Sequence, residues 1–366
     1  MKKIAWVTPI WFLDTDVYVM RYLSQYFMIS WFITKPPEMK LDYADLISDI
    51  SKHQGMQVEI VDVPNGIANI RQLHALWKLQ KRLKGFDCVY QPSGFIFLFP
   101  IMVLMCRRKK WIVPIHNVNT PKGARLYYIS KLYNELAINF FNNFVTFSKS
   151  QAHLLEEKKR GRAHVLQTSF MLKDYGLSTR QRTNQLITFM NFGNIIDYKR
   201  IDVLIKAAQQ AFERSGVLFR VIIAGHCRNW NEKYQPLIRF PELFDLRISR
   251  VDDREIPNLF AESDYFVAPY QDIAQSGSTI VAVNYNTPII ASKIVAFEEI
   301  IQDGVNGFFI TPASVDDLCD RIVFILNNHK VIHQNLREGQ QRMKEKNFMD
   351  SVIVSQYVDF INEIGE

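Results

Sequence analysis

Cysteine is scarce in this chain of 366 residues: Cys88, Cys106, Cys227 and Cys319 lie far apart and form no C-x-x-C pair. That spacing excludes a zinc ribbon and argues against a disulfide framework. Glycine (15) and proline (14) are modest and no block is of low complexity, which excludes collagen-like, elastic and disordered classes. No run reaches the roughly 18–20 apolar residues that a membrane-spanning helix needs. The apolar stretch from Ile4 to Leu13 follows Lys2 and Lys3 like a signal peptide, but it lacks a small-residue cleavage site and meets Asp14 and Asp16 at once. A buried first strand, and with it a reducing, cytoplasmic compartment, is the better reading. Also missing are G-x-G-x-x-G after the first strand, a P-loop, the H-E-x-x-H and D-x-D-x-[DN]-G metal patterns and the nucleophile elbow G-x-S-x-G. No nucleic-acid reading motif is present either, so no nucleic-acid partner is expected.

What is present is an ordinary globular balance, 48% hydrophobic and 22% charged. At roughly 100–200 residues per domain, the length implies two domains. The net charge of +7 is unevenly divided. Residues 1–180 hold 25 Lys and Arg against 13 Asp and Glu, a net of +12; residues 181–366 hold 19 against 24, a net of −5. Such asymmetry points the first half at something anionic: acidic lipid headgroups, a phosphorylated substrate or nucleic acid.

Strand-like and helix-like stretches alternate almost throughout. The first half reads as strands at 4–9, 29–34, 58–63, 88–91, 111–115 and 144–147. Its helices are placed at 16–26, capped by an aspartate, at 43–53, and at 70–83 with Ile70, Leu73, Leu76, Trp77 and Leu83 on the apolar face. A polar segment, Gln181–Gln185, reads as a linker. The second half has strands at 187–192, 219–224, 246–249, 265–268 and 289–291, with helices at 201–212, 256–261, 278–284 and 315–326. Nearly continuous β-branched runs fit parallel sheets covered on both faces. The expected class is α/β, two doubly wound Rossmann-like domains at 1–180 and 181–349, with a helix near 350–366 packing back on the first. Ligands of such folds sit at the carboxyl ends of the strands.

Five segments carry candidate chemistry. In Phe192-Gly193-Asn194 to Lys199, a glycine at a strand end allows close backbone approach and Lys199 offers a charge to a phosphate; an ordinary turn with a solvated lysine is the alternative. In Gln275-Ser276-Gly277-Ser278-Thr279, small residues open a buried helix, giving either an anion site or a plain N-cap. His116 ends a strand in Pro114-Ile115-His116-Asn117, facing the ligand crevice or satisfied by a neighbouring carbonyl. Gly225-His226 reads as pocket wall. Finally, Phe95–Cys106 followed by Arg107-Arg108-Lys109-Lys110 reads as a crossover helix, its basic end either favoured by the helix dipole or touching anionic lipid.

Taken in order, these segments resemble the GT-B glycosyltransferases, specifically the retaining family 4, also called glycosyl transferases group 1. The run from Phe192 through Lys199 to Ala207 is similar to that family's strand–loop–helix at the donor diphosphate. Ile222–Gly225, Glu255–Asp264, Thr287–Ser292 and Glu299–Gly307 continue the likeness, which is dense over about residues 186–325. In residues 1–180 it rests on strand order, His116 and Ser148-Lys149-Ser150. Two departures stand out. Asn194 occupies the family's arginine position, and Ile273 and Val281 stand where two glutamates eight apart are usual. Gln275-Ser276-Gly277 is similar to a variant of that acidic motif in surface-polysaccharide enzymes.

The resemblance implies transfer of a sugar, with retention, from a nucleotide-diphosphate sugar to a glycan or lipid-linked acceptor in cell-surface polysaccharide or lipopolysaccharide assembly. It implies two domains facing across a cleft. Catalytic roles fall on His116 and Lys199, with the donor held by Gly193, Asn194, Lys199, His226, Gln275, Ser276, Gly277, Ser278 and Thr279. No cofactor and no metal are expected, since a lysine and a helix terminus replace the cation. The basic half would meet an anionic membrane surface, making the protein cytoplasmic and peripheral on the inner face. A GT-B sugar-nucleotide epimerase or hydrolase, and a non-catalytic sugar-nucleotide-binding scaffold, are the alternatives.

Overall fold

In a computed structural model, residues 1–64, 70–92, 111–119, 127–180, 185–273 and 276–364 are described. The chain divides into two units, Met1–Met171 with Met349–Glu366, and Leu172–Phe348. The Phe95–Cys106 stretch, the basic run Arg107–Lys110, most of the expected linker and Gln275 lie outside the described residues.

The first unit is built on seven parallel strands: β1 (Lys3–Pro9), β2 (Met28–Lys35), β3 (Met56–Asp62), β4 (Cys88–Tyr90), β5 (Trp111–Pro114), β6 (Asn143–Thr146) and β7 (His164–Gln167). Their order is β3-β2-β1-β4-β5-β6-β7. Alternation along β1 explains why both faces are covered. Ile4 and Trp6 enter one core cluster, while Ala5 and Val7 enter the other. The last helix, Asp350–Ile364, supplies Ile353, Val354, Tyr357, Phe360 and Ile361 to the cluster containing Trp6. Hydrogen bonds along its length hold it there, among them Tyr22 donating to Asp350 at 2.6 Å, Thr168 to Gln356 at 2.7 Å and Lys2 Nζ to the Asn362 carbonyl at 2.6 Å.

The second unit repeats the plan with six parallel strands: β8 (Thr188–Phe192), β9 (Arg220–Ala224), β10 (Phe244–Arg247), β11 (Tyr265–Ala268), β12 (Ile289–Ser292) and β13 (Gly307–Ile310), in the order β10-β9-β8-β11-β12-β13. Each sheet is thus doubly wound, and the order reverses between β1 and β4 and between β8 and β11. Crevices at the carboxyl ends of the strands form at such reversals.

Several local readings differ from the structure. The first helix spans Leu13–Leu23 and has no side-chain cap. Asp16 turns inward, where its Oδ2 accepts from Trp6 Nε1 (3.0 Å) and Thr8 Oγ1 (2.6 Å). Burial pushes its carboxyl up to about 7. In the helix Ile70–Arg82 the buried apolar side chains among those described are Leu76 and Leu79, followed by Leu83. Trp77 faces outward instead, its ring capped by the Lys81 ammonium at 3.3 Å. Strand β10 lies two residues earlier than its apolar pattern implied. The interior-facing positions there are only half buried, and Asp245 is held by Arg220 and Arg247. The helices Tyr127–Phe140 and Lys149–Lys159 and the strands β7 and β13 are additional to the elements read from sequence. The helix beginning at Val315 runs on to Asn347, 33 residues in all.

Candidate functional site

The second unit gathers a polar group at the reversal between β8 and β11. Strand β8 ends at Phe192, and Gly193 follows with φ +103°. A Cβ there would lie 3.0 Å from Lys199 Nζ and 3.5 Å from Ser278 Cβ, so the glycine is what lets these two segments meet. Gly225 supports the same turn from β9: a Cβ on it would fall 2.0 Å from the Gly193 carbonyl oxygen.

Lys199 closes a short 3-10 turn, Asp197–Lys199, before Arg200 takes a left-handed conformation (φ +49°) and starts the helix Ile201–Ser215. Its side chain folds back rather than out. Only 6% of the residue is exposed, and Nζ donates to the Phe192 carbonyl at 3.3 Å. The Tyr270 ring centroid is 5.4 Å away. No carboxylate pairs with this ammonium among the described residues. Burial lowers its pKa to about 8, so at pH 7 it remains mostly charged in a poorly solvated place.

Facing it is the N-terminus of the helix Gly277–Asn284. Ser276 is the N-cap, its Oγ accepting from Thr279 N (3.3 Å) and Thr279 Oγ1 (2.7 Å). The chain of hydroxyls continues from Ser276 to Ser278 (3.2 Å) and from Ser278 to Tyr270 (3.2 Å). The N-cap reading of this segment therefore holds. Ser276 caps Thr279, while the N–H groups of Gly277 and Ser278 meet no acceptor among the described residues and stay at the positive end of the helix. Gly277 is exposed, and a Cβ on it would meet nothing within 4 Å. A buried cation, two N–H groups with no acceptor among the described residues and several hydroxyls thus lie in one place, a donor set of the kind that suits an anion.

Other residues expected at the donor stand differently. Asn194 is exposed. The His226 side chain is exposed too, and its backbone carbonyl accepts from Ile195 N at 2.9 Å, so it holds the loop through its main chain. Gln275 is outside the described residues. Arg200, the nearest arginine in sequence, forks onto Asp202 with two bonds of 2.9 Å. Ile273 and Val281 pack against the core cluster of this unit, so apolar side chains occupy the two expected carboxylate positions. Tyr270 is the residue the sequence reading passed over. It ends the segment after β11 and is fully buried, with burial raising its pKa.

His116 belongs to the first unit, two residues beyond β5. No carbonyl among the described residues accepts a hydrogen bond from it. The ring lies among three phenyl rings instead: Phe12 at 4.6 Å, Phe147 at 4.7 Å and Phe170 at 5.6 Å between centroids, all stacked within 29°. These rings follow the carboxyl ends of β1, β6 and β7. Burial lowers the imidazole to about 4, so it is neutral at physiological pH and suited to hydrogen bonding rather than to giving up a proton. The aromatic partners are spread over 158 residues of sequence, which is why spacing alone could not reveal them.

Comparison with known proteins fits this division. Residues 187–328 match the family model described as glycosyl transferases group 1. A curated relative, an uncharacterised 41.2 kDa protein in the cps region of Klebsiella pneumoniae, is 27% identical over 109 residues, which span 30% of this chain and 29% of the relative. Among solved structures, a glycosyltransferase from Rickettsia africae superposes with a TM-score of 0.76 at 15% identity, covering 99% of this chain and 98% of that one. Anabaena Alr3699/HepE, solved in complex with UDP, superposes at 0.75 with 16% identity over 99% and 100%. The chain thus has the GT-B fold, and its second unit carries the glycosyl transferases group 1 match.

Proposed function

We propose that the protein transfers a sugar, with retention, from a nucleotide-diphosphate sugar to a glycan or lipid-linked acceptor during assembly of a cell-surface polysaccharide or lipopolysaccharide. The observation that carries this reading is Lys199, a buried cation without a carboxylate partner among the described residues, set against the open end of the Gly277–Asn284 helix. Burial of that charge costs free energy in the ligand-free protein, and a diphosphate placed there would offset the cost. As the bond between the sugar's anomeric carbon and the diphosphate breaks, negative charge builds on the leaving oxygens. Lys199 and the Gly277 and Ser278 N–H groups would stabilise it. The acceptor oxygen attacks the same face of the sugar, and its proton passes to the departing phosphate, so no protein nucleophile is required. With apolar residues at 273 and 281, Ser276, Ser278 and Tyr270 supply the polar contacts that carboxylates would otherwise make. In the first unit the His116 ring, neutral and stacked, would hydrogen-bond a sugar hydroxyl.

The UDP bound by HepE supports a uridine nucleotide as the first donor to try, and the cps-region relative supports a polysaccharide product. The excess of basic residues in the first half supports an acceptor carried on an anionic membrane surface. Incubation with UDP-sugars and an acceptor glycan, with the anomeric configuration of the product read by NMR, tests the proposal. A product of retained configuration is expected. Binding without turnover of any donor would favour the scaffold reading instead, and an inverted product would overturn retention.

A further inference from the structure

At the opposite end of β11 from the anion site lies a second cluster, formed by Asp264, His329 and His333. The two histidines are one turn apart on the Val315–Asn347 helix, with rings stacked at 4.7 Å between centroids. Asp264 immediately precedes β11. Its backbone N–H donates to the Thr188 carbonyl and its Oδ2 accepts from Thr188 N, both at 2.8 Å, so the carboxylate is fixed against β8. The other oxygen, Oδ1, lies 3.8 Å from His333 Nε2. One ligand atom from each of the three residues falls within 4.8 Å of the others. The Tyr265 hydroxyl, 3.2 Å from His329 Nδ1, orients that ring, and the Tyr265 ring packs edge-on to both imidazoles.

We propose that Asp264, His329 and His333 bind a divalent transition-metal ion of the zinc type, which clips the long helix to the foot of the second sheet. Two imidazoles and a carboxylate are the donor set such ions prefer, and histidines four apart on a helix present both nitrogens to one side. Bonds of roughly 2.0–2.2 Å place ligands about 3.3–3.5 Å apart around a tetrahedral ion. The observed spacing therefore has to close by about 1 Å, a side-chain adjustment. The Asp264 carboxylate is 5% exposed and already anchored, which favours one defined geometry over loose surface binding. In the metal-free protein His333 Nε2 lies 3.2 Å from the Asp264 backbone carbonyl, so the ion would replace that contact. Four residues of β11, about 13 Å of strand, separate this cluster from the segment leading to Tyr270. The ion would therefore stabilise the unit without taking part in the reaction at the other end.

The test uses tag-free, full-length protein stripped by a chelator and titrated with Zn²⁺, with Co²⁺ as an optical probe. We expect one tightly bound zinc per chain, a thermal midpoint raised by about 5–10 °C at a hundredfold excess over Kd, and visible Co²⁺ absorption of a four- or five-coordinate site. His329→Gln with His333→Gln should abolish all three while leaving the circular dichroism of the protein unchanged. Weak binding with no Co²⁺ band in the wild type would overturn the proposal, and that measurement needs no variant. So would stoichiometric zinc that survives the double substitution, since the ion would then sit elsewhere.

Discussion

Each unit places a nitrogen base beyond the carboxyl ends of its strands, His116 in the first and Lys199 in the second, and the two are left in opposite states. His116 in the first unit is surrounded by phenyl rings and held neutral, with a pKa near 4. Lys199 in the second is the less exposed of the two, at 6%, yet keeps a pKa near 8 and so its charge at pH 7. Desolvation acts on both in the same direction, towards the neutral form. What differs is how far each begins from neutrality, and therefore what each can offer a ligand. The first unit presents a stacking surface with an uncharged hydrogen-bonding ring. The second holds a cation whose solvation is incomplete until an anion arrives.

Removing the cation should break this contrast most severely. Lys199→Met is expected to lower turnover by about 10²–10³, as measured at saturating donor. The same change should make the ligand-free protein more stable at pH 7, by up to roughly 3 kcal/mol from the burial cost relieved. The sign follows from the depressed folded pKa. The penalty is complete below about pH 8 and fades as pH rises towards the unfolded value near 10.5, so urea midpoints of wild type and variant should converge at high pH. Equal stability at pH 7 and pH 10 would show that Lys199 is better solvated than its position indicates.

A second, smaller effect comes from the helix end. Gly277→Val meets no protein atom and should fold normally, yet its side chain would fill the space before the Gly277 and Ser278 N–H groups. Nucleotide affinity is expected to fall by at least about tenfold, the scale of one lost charge-assisted hydrogen bond. Unchanged affinity would place the diphosphate elsewhere.

On the other side of the comparison, His116→Phe should cost about tenfold in kcat/KM, the worth of one hydrogen bond, while the stacked platform survives. The depressed pKa gives a distinguishing readout. The folded protein resists protonating His116 between pH 6.5 and about 4, so wild type loses stability as pH falls through that window. The phenylalanine variant should lose less. A rate profile with a histidine-like break near 6.5 that disappears in the variant would contradict the neutral assignment.

At Asp16, the inward-turned carboxyl of the first unit, a change in stability alone is expected. Its raised folded pKa means stability declines as pH rises from about 4 to 7, and Asp16→Asn, which can still accept from Trp6 and Thr8, should flatten that decline. Thermal midpoints measured across the same range would show it.

How much of this was legible in the sequence follows the same division. In the second unit, strands β8 and β11 and the helix Ile256–Ala261 were placed within a residue, because continuous apolar runs there end sharply at Gly193, Pro269 and Asp264. The segments that meet around Lys199 were legible because each follows, within about ten residues, a strand that periodicity identifies, β8 before Gly193 and Lys199 and β11 before Ser276–Thr279. In the first unit the His116 position was legible, but its phenyl neighbours were not. Phe12, Phe147 and Phe170 come from three different strand ends, and only the sheet order brings them together. Tyr270 was hidden for another reason. A tyrosine at a strand end resembles core, and its hydroxyl acquires meaning only beside Ser278. Asp16 was misplaced because an aspartate near a helix start usually caps, whereas here the Trp6 indole and the Thr8 hydroxyl give it buried partners.

The central claim is that Lys199 and the open end of the Gly277–Asn284 helix bind the donor's diphosphate. Calorimetric titration with UDP at pH 8.5, in two buffers of different ionisation enthalpy, tests it directly. At that pH a lysine with a pKa near 8 is largely deprotonated, and a diphosphate beside it should draw a proton back. The account predicts net proton uptake on binding, seen as a buffer-dependent enthalpy, and loss of both the uptake and most of the affinity in Lys199→Met. Affinity within threefold of wild type in that variant, with the same buffer dependence, would contradict it.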